Sequence, residues 1–365
     1  MAVSQQRIDR LAEVIKAQEL NALLIAPSED LVYLIGHSPM MCERFQGLLV
    51  TADGDYLYIC NLLYADEIAE HLTKDRIHPW HDSDGFLPIV HKILEQKGLL
   101  GGKIGVSRAV RAFNVLAIAA SMEVTFVDAM TLIHEARIIK SEEELAGLRK
   151  AAEIADEAFI KTIAQIKVGM TELQVKDILT SHMSALGGVR PGGLIASGPN
   201  GALPHYTGVS RVLQPGDAVV MDFGCGYDNM RSDMTRTIFI GQPSEKQKEV
   251  YNLVLASNQT GAEVAVEGAW IPDVDGAARE IIEQGGYGPF FNHRLGHGIG
   301  YMGHEAPDIK KTNGRKLEKG MAFSIEPGIY LAGEFGVRIE DIACINLQGE
   351  TEILNQATKE MIIIN

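Results

Sequence analysis

One stretch of the sequence, residues 222–340, constrains the fold more than any other. It places four acidic residues and one histidine in the contexts M-D-F-G, R-S-D-M-T-R-T, G-H-G-I-G, I-E-P-G-I-Y and V-R-I-E-D. In chain order these five residues are Asp222, Asp233, His297, Glu326 and Glu340. Four carboxylates packed together would repel one another and could not all stay ionised without cations between them. Oxygen-rich ligation with one imidazole suits hard or borderline metals such as manganese, so the stretch predicts a site for two divalent ions.

The four acidic residues form two pairs along the chain, and a turn-rich segment lies midway between the two members of each pair. The first pair is symmetric about Tyr227–Asp228, and the second pair is symmetric about Gly333. If each segment turns as a hairpin, the two carboxylates of a pair lie across from each other on one face, because side chains alternate along a strand. The sequence thus predicts two hairpins that each present a carboxylate pair, with His297 as the remaining ligand. A β-bulge would shift either register.

Length and periodicity predict two domains. At 365 residues the chain exceeds what one hydrophobic core usually serves. Residues 1–135 alternate short apolar runs with helix-periodic segments, which predicts a small α/β domain with a mixed sheet. Residues 136–365 begin with a capping box at Ser141, and further boxes at Thr171 and Ser244 precede helices that alternate with strand-like runs. This second part is predicted to be an α+β domain whose helices cover one sheet face.

Composition argues against several classes of partner. The formal charge of −15 disfavours nucleic acid, because phosphate binding needs clustered Lys and Arg. No run approaches the length needed to cross a bilayer, the N-terminus has no secretory signal, and the cysteines form no C-x-x-C pair. We therefore expect a cytoplasmic protein that binds neither nucleic acid nor membrane. A G-x-G-x-x-G match at 298–303 is followed by H-E-A-P rather than a helix, so no dinucleotide cofactor is expected.

In this order and at these spacings, the five motifs resemble those of the pita-bread metallopeptidases, which include prolidase, aminopeptidase P and methionine aminopeptidase. The resemblance covers nearly the whole chain, and the first domain looks like the creatinase/prolidase N-terminal domain. It implies that Asp233 and Glu340 bridge two metal ions. Asp222 would bind one ion, and His297 and Glu326 the other. The expected ions are Mn²⁺, with Co²⁺ or Zn²⁺ as alternatives, and the resemblance also implies a homodimer.

The resemblance assigns roles outside the metal shell as well. His205, in A-L-P-H-Y, and His304, in G-H-E-A-P, match positions that contact substrate near the metals in related enzymes. Arg338 matches a family arginine near the site, where it would orient a ligand carboxylate or touch substrate. The implied reaction is hydrolysis of an amide bond by water that two cations activate near neutral pH. Protonated His304 or His205 would stabilise the oxyanion, and Glu326 would carry a proton to the leaving nitrogen.

The implied substrate is an Xaa-Pro dipeptide, cleaved at the amide bond before proline. One departure bears on this expectation, because several dipeptidases hold the dipeptide carboxylate with an arginine near the position of Asp308. Lys310, Lys311, Arg315 or Arg338 would then substitute, or the substrate is longer or not a peptide. Aminopeptidase P activity on longer Xaa-Pro peptides is the alternative enzymatic reading. A non-catalytic homologue that binds a partner is the alternative from another class, although such homologues usually lose ligands and this chain has all five.

Overall fold

The chain divides into two units, Met1–Arg137 and Ile138–Asn365. The structure is a computed structural model that describes residues 3–365. Each unit has its own sheet or sheets and its own apolar core. Within the described range, no helix combines the length and the apolar character needed to span a membrane.

The first unit is built around a six-stranded mixed sheet, which confirms the predicted α/β class. Its strands are β1 (Ala22–Ile25), β2 (Gly47–Thr51), β3 (Tyr56–Asn61), β4 (Ile77–Trp80), β5 (Lys103–Val106) and β6 (Thr125–Asp128). Its helices are α1 (Gln5–Ala17), α2 (Glu29–Ile35), α3 (Ala65–Ile68), α4 (Leu87–Gln96), α5 (Ala112–Ser121) and α6 (Met130–Arg137). The strand order is β4-β3-β2-β1-β5-β6, with β1 antiparallel to β2 and parallel to β5. The sheet residues Leu24, Leu49 and Ile59 share one core with Val90 and Ile93 of α4.

Two elements of this unit differ from what the sequence pattern predicts. Periodicity predicts a helix over residues 64–71, but α3 covers only Ala65–Ile68. Ile68 is the one buried residue of α3, so a longer helix would bury little additional apolar surface. The pattern gives no sign of β4, because Pro79 lacks the N–H that a central strand needs. β4 lies at the edge of the sheet, where a strand can lack this donor.

The second unit combines four helices with three groups of strands in residues 138–365. Its helices are α7 (Glu142–Ile163), α8 (Glu172–Ala185), α9 (Glu245–Val264) and α10 (Ile271–Gln284). Its strands are β7 (Val189–Ser197), β8 (Ala218–Tyr227), β9 (Met230–Arg231), β10 (Met234–Ile240), β11 (Gly296–Gly298), β12 (Glu305–Ile309), β13 (Ala322–Ile325), β14 (Gly328–Leu331), β15 (Phe335–Arg338), β16 (Asp341–Ile345), β17 (Thr351–Ile353) and β18 (Ile362–Ile364). One sheet has the order β18-β10-β8-β7 with β9 beside β8, a second has the order β12-β11-β13-β16-β17, and β14 pairs with β15.

Three of these helices begin where the sequence predicts. Ser141, Thr171 and Ser244 each accept a hydrogen bond from the backbone N–H three residues later. In each case the side chain of that later Glu or Gln accepts from the backbone N–H of the capping residue. The reciprocal bonds satisfy N–H groups that a helix start would otherwise leave unpaired. The predicted capping boxes of α7, α8 and α9 are therefore confirmed.

The packing of helices on the first sheet decides which side chains are free for chemistry. Phe159 of α7 and Leu179 of α8 share a core with Met221 and Phe223 of β8. Because side chains alternate along a strand, Asp222 points to the opposite face of β8. The acidic residue therefore lies on the sheet face turned away from α7 and α8.

Candidate active site

Asp222 and Asp233 lie in one hairpin, but the predicted pairing between them is wrong. The turn falls at Asp228–Asn229, where φ is 45° and 66°, rather than at Tyr227–Asp228. Asp222 is therefore opposite Thr235, and Asp233 lies in the break between β9 and β10. Asp and Asn tolerate positive φ better than most residues, which explains why the turn is centred on this pair. The alternation of side chains still brings both carboxylates to one face, in diagonal rather than direct opposition.

Glu326 and Glu340 occupy an interruption between two paired stretches of one long hairpin. β13 pairs with β16 and β14 with β15 in a single continuous register, so the two glutamates are opposite each other as the sequence predicts. The turn contains Gly333, whose φ of 78° favours glycine. The backbone N–H groups of both glutamates bond to other strands or loops. Glu326 donates to the carbonyl of Leu295 at 2.8 Å, and Glu340 donates to that of Thr235 at 3.0 Å.

His297 lies in β11 between two glycines that allow the neighbouring backbone to approach. A Cβ on Gly296 would lie 1.9 Å from the carbonyl oxygen of Ser324, so no larger residue fits there. The imidazole Nδ1 is 3.1 Å from the carbonyl oxygen of Gly298 and donates to it, which leaves Nε2 3.2 Å from Glu326 Oε1. Burial lowers the pKa of His297 to about 3. The ring is therefore neutral at pH 7, and Nε2 keeps a lone pair for a metal ion.

All five predicted ligands converge on one cleft. Residues 3–365 contain three overlapping groups in which one possible ligand atom per residue lies within 4.8 Å of the others. These groups are Asp222–Asp233–Glu340, His297–Glu326–Glu340 and Asp233–His297–His304. Glu340 belongs to the first two groups, so its carboxylate is where they meet. Exposed acidic groups are common in proteins, but here His297 and Glu340 are each only 2% exposed.

The acidic side chains disfavour one another's charged forms. Burial, followed by the charges of Asp222 and Glu326, raises the pKa of Asp233 well above its usual value. Burial, followed by the charge of Asp233, does the same to Glu340. Burial also raises the pKa of Glu326 to about 7. Divalent cations would relieve this repulsion, and four carboxylates with one neutral imidazole are a fitting donor set for two of them.

Arg338 adds a positive charge beside this cluster and is itself only 3% exposed. Its Nη2 donates to Asp222 Oδ2 at 2.5 Å, and its Nε donates to the hydroxyl of Thr235 at 3.0 Å. Its Nη1 donates to the hydroxyl of Tyr330 at 2.9 Å. All three guanidinium nitrogens are therefore engaged by neighbouring protein groups.

His205 and His304 both line the cleft, which has a volume of about 510 Å³. The ring of His304 lies 4.0 Å from that of His297, centroid to centroid, and burial lowers the pKa of His304. His205 is exposed and belongs to the loop between β7 and β8. The carbonyl oxygen of Pro204, immediately before it, is 3.4 Å from Arg338 Nη1.

The cleft also contains an arginine that the sequence pattern did not single out. Arg294 donates to one oxygen of Asp308, and Lys310 Nζ is 2.6 Å from the other. All three residues line the cleft. Arg294 gives no signal in the sequence, because it lies in the connection before β11 and comes near Asp308 only through the pairing of β11 with β12. Asp308 lies in β12, and Lys310 directly follows the end of this strand.

His293, in the same connection, links the backbone of Arg294 to the hydroxyl of Tyr330. His293 Nδ1 donates to the carbonyl oxygen of Arg294 at 2.7 Å, and His293 Nε2 is 3.0 Å from the hydroxyl of Tyr330. Burial lowers the pKa of His293 to about 4, so the neutral ring accepts from Tyr330. Tyr330 in turn accepts from Arg338, which completes a chain of hydrogen bonds from His293 to Asp222.

Known proteins share both parts of this architecture. Residues 7–139 match the family Creatinase/Prolidase N-terminal domain, and residues 146–346 match Metallopeptidase family M24. An Xaa-Pro dipeptidase of Pyrococcus horikoshii is 35% identical over 364 residues, which are 99% of this chain and 100% of the relative. A recombinant prolidase from Thermococcus sibiricus has a crystal structure with a TM-score of 0.93 at 32% identity, covering 100% of both chains. An X-Pro aminopeptidase from Thermotoga maritima has a TM-score of 0.83 at 31% identity, covering 98% of this chain and 99% of that one.

These similarities extend over the whole length of the chain and over the strands that carry the acidic cluster. They also agree with the expected fold, an α/β N-terminal domain followed by a pita-bread domain. On this basis the chain belongs to metallopeptidase family M24.

Proposed function

We propose that this chain is an Xaa-Pro dipeptidase that hydrolyses the amide bond before proline and depends on two divalent metal ions. The observation that carries the proposal is the convergence of four carboxylates and the His297 imidazole in one cleft. Full-length similarity to an Xaa-Pro dipeptidase supports the substrate class. A cytoplasmic location and a homodimer stay predictions.

The ligand assignment follows the overlapping groups. One ion would be held by Asp222, Asp233 and Glu340. The second would be held by His297 and Glu326, and Asp233 and Glu340 would be shared by both ions. When bound, the ions lower the pKa of water and polarise the scissile carbonyl. Manganese is the metal we propose first, because hard oxygen donors dominate the set, with cobalt or zinc as alternatives.

The protein's own groups would move the protons. Glu326 Oε1 accepts from the hydroxyl of Ser324 at 3.1 Å, which leaves its other oxygen to carry a proton to the leaving nitrogen. Because burial lowers the pKa of His304, we expect this ring to donate to the oxyanion as neutral imidazole near pH 7 rather than as imidazolium. His205, in the loop between β7 and β8, would contact substrate. Arg338 would orient Asp222, since its nitrogens already have partners.

The carboxylate of a dipeptide requires a cation elsewhere in the cleft. Arg294 and Lys310 share the single negative charge of Asp308, so this group of three carries one net positive charge. Arg294 has further N–H donors in a planar arrangement suited to a carboxylate. We infer that Arg294, with Lys310, receives the C-terminal carboxylate of the substrate.

An Xaa-Pro aminopeptidase is the second candidate, because the structure is also similar to the X-Pro aminopeptidase of Thermotoga maritima. A panel of Xaa-Pro dipeptides and Xaa-Pro-Xaa tripeptides, assayed with manganese, separates the two activities. We expect release of the residue before proline from unblocked dipeptides. Inert dipeptides with rapid tripeptide cleavage would establish the aminopeptidase instead, and metal-loaded protein inactive on both would refute both activities and leave only the metal-hydrolase class.

A further inference from the structure

A buried carboxylate outside the metal cluster organises the loop between β7 and β8. Glu172, the first residue of α8, is fully buried. Its Oε1 accepts from the backbone N–H and the hydroxyl of Ser197, both at 2.8 Å, and from Asn200 Nδ2 at 3.0 Å. Its Oε2 accepts from the hydroxyl of Tyr206 at 3.0 Å and from the backbone N–H of Arg211 at 3.3 Å. Every one of these donors lies in the loop or at the end of β7.

The same loop brings His205 to the cleft. Pro204 and His205 line the cleft, and Tyr206, whose hydroxyl bonds to Glu172, follows directly. Within the part of the chain that the structure describes, the His205 side chain makes no hydrogen bond or ion pair of its own. The position of this ring therefore depends on the backbone of the loop, and the loop depends on Glu172.

The donors around Glu172 require a carboxylate rather than any polar side chain. An ionised carboxylate only accepts hydrogen bonds, so both oxygens can serve the five donors. A carboxamide would place an NH₂ group where one carboxylate oxygen now accepts. The hydrogen bonds from the donors around that oxygen would then be lost. Arg211 reinforces the arrangement, because its guanidinium donates to the Ser197 hydroxyl at 2.8 Å and pairs with Asp217.

We propose that Glu172 is a positioning residue, which holds the β7–β8 loop so that His205 faces the substrate. This inference rests on the function proposed above. Its effect on the reaction is exerted entirely through the loop, since Glu172 does not line the cleft.

The test is a double-mutant cycle on the manganese-loaded enzyme with an Xaa-Pro dipeptide. Glu172→Gln should lower kcat/KM by about tenfold or more in the wild-type background. In the His205→Ala background the same substitution should change kcat/KM by less than about twofold, because the contribution of His205 is already lost. An equal fall in both backgrounds, or no fall in the wild-type background, would overturn the proposal.

Amide hydrogen exchange of residues 198–211 gives a readout that does not need activity. We expect faster exchange in this loop in Glu172→Gln, with α7 unchanged, and unchanged exchange in the loop contradicts the proposal. Wild-type enzyme that cleaves no Xaa-Pro peptide would defeat the proposed function, while the exchange result would still decide whether Glu172 orders the loop. Tyr206→Phe, which removes one donor and keeps Glu172, takes the place of Glu172→Gln under the same criteria if that variant does not fold.

Asp156→Asn is the matched control. Asp156 is also a buried carboxylate, but it accepts from the backbone N–H of Gln356, away from the cleft. The control should leave loop exchange unchanged and should affect both backgrounds of the cycle equally. If it instead reproduces the Glu172→Gln pattern, general destabilisation explains both variants and the positioning role is wrong.

Discussion

Thr235 and Glu340 are joined twice. The backbone N–H of Glu340 donates to the carbonyl oxygen of Thr235 at 3.0 Å, and the Thr235 hydroxyl donates to Glu340 Oε2 at 2.6 Å. The same hydroxyl accepts from Arg338 Nε at 3.0 Å. One side chain thus connects the hairpin of Asp222 to that of Glu340 and orients a proposed bridging ligand.

Thr235→Val should weaken the metal centre without changing the size of the side chain. The valine leaves Glu340 Oε2 and Arg338 Nε without their buried partner. Loss of such a supporting bond typically lowers metal affinity or activity by about 10–100-fold. Calorimetric manganese titration and kcat/KM measure both effects. Thr235→Ser keeps the hydroxyl and should stay close to wild type, so equal behaviour of the two variants would contradict the prediction.

Removal of the metal should lower the melting temperature near neutral pH. Ions that bind only the folded chain stabilise it by roughly 2.7 kcal/mol at a hundredfold excess over Kd. Chelator-treated protein, checked for metal content, should melt earlier, and manganese should restore both stability and activity. Asp233→Asn removes one repulsive charge, so its metal-free form should melt no lower than metal-free wild type, yet recover little with manganese. An identical melting curve with and without metal would refute the two-ion site.

His205→Ala and His304→Ala should lower kcat/KM while two ions per chain remain bound. Loss of one donor to a developing oxyanion typically costs about 10²–10³ in kcat. Steady-state kinetics and elemental analysis of the purified variants measure the two properties. Near-wild-type rates in both variants would show that the histidines are structural. Loss of one ion in His304→Ala would instead make His304 a ligand, as its proximity to Asp233 and His297 permits.

Arg294→Gln should raise KM for an Xaa-Pro dipeptide about tenfold or more, because the substrate carboxylate loses its charge-assisted hydrogen bonds. KM for the C-terminally amidated dipeptide, if it is cleaved, should change little. The control is Lys311→Gln, which removes a positive charge from an exposed residue that does not line the cleft. If KM rises equally for both peptides, the substrate carboxylate does not bind at Arg294.

His293 should make folding stability depend on pH in the acid range. Its pKa falls from 6.5 to about 4 on folding, so between these values the unfolded chain holds a proton that the folded chain does not. The stability that neutral His293 contributes above pH 6.5 is therefore lost as pH falls toward 4, up to about 3 kcal/mol. Urea unfolding of the metal-free proteins gives the free energy of unfolding at each pH. Between pH 6.5 and 4, this free energy should fall more steeply in wild type than in His293→Gln. Parallel pH profiles would contradict the prediction.

The two hairpins show what the sequence could and could not predict about the site. Symmetry about Gly333 predicted the opposition of Glu326 and Glu340 correctly, because one register runs through both of its paired stretches. The same reasoning failed for the first hairpin, where the pair of residues with positive φ decides the register. The turn at Asp228–Asn229 is one residue later than symmetry suggests, and Asn229 was the available signal.

Contacts between distant segments were beyond sequence reasoning. Arg294 reaches Asp308 only because β11 pairs with β12, and nothing local to either residue predicts that pairing. Glu172 lies in the first turn of a helix, a common position for acidic residues, so the local sequence does not set it apart. Its five donors come together only when the β7–β8 loop closes over the start of α8.

The backbone bonds of Glu326 and Glu340 have a consequence for biosynthesis. The two glutamates tie one hairpin to segments made earlier, Glu326 through Leu295 and Glu340 through Thr235. During translation Asp222 and Asp233 leave the ribosome long before Glu340. The two aspartates cannot form the proposed metal site by themselves. A nascent or truncated chain that lacks the hairpin of Glu326 and Glu340 therefore has no complete ligand set. Binding of the proposed pair of metal ions should therefore follow the synthesis and folding of the chain up to Glu340.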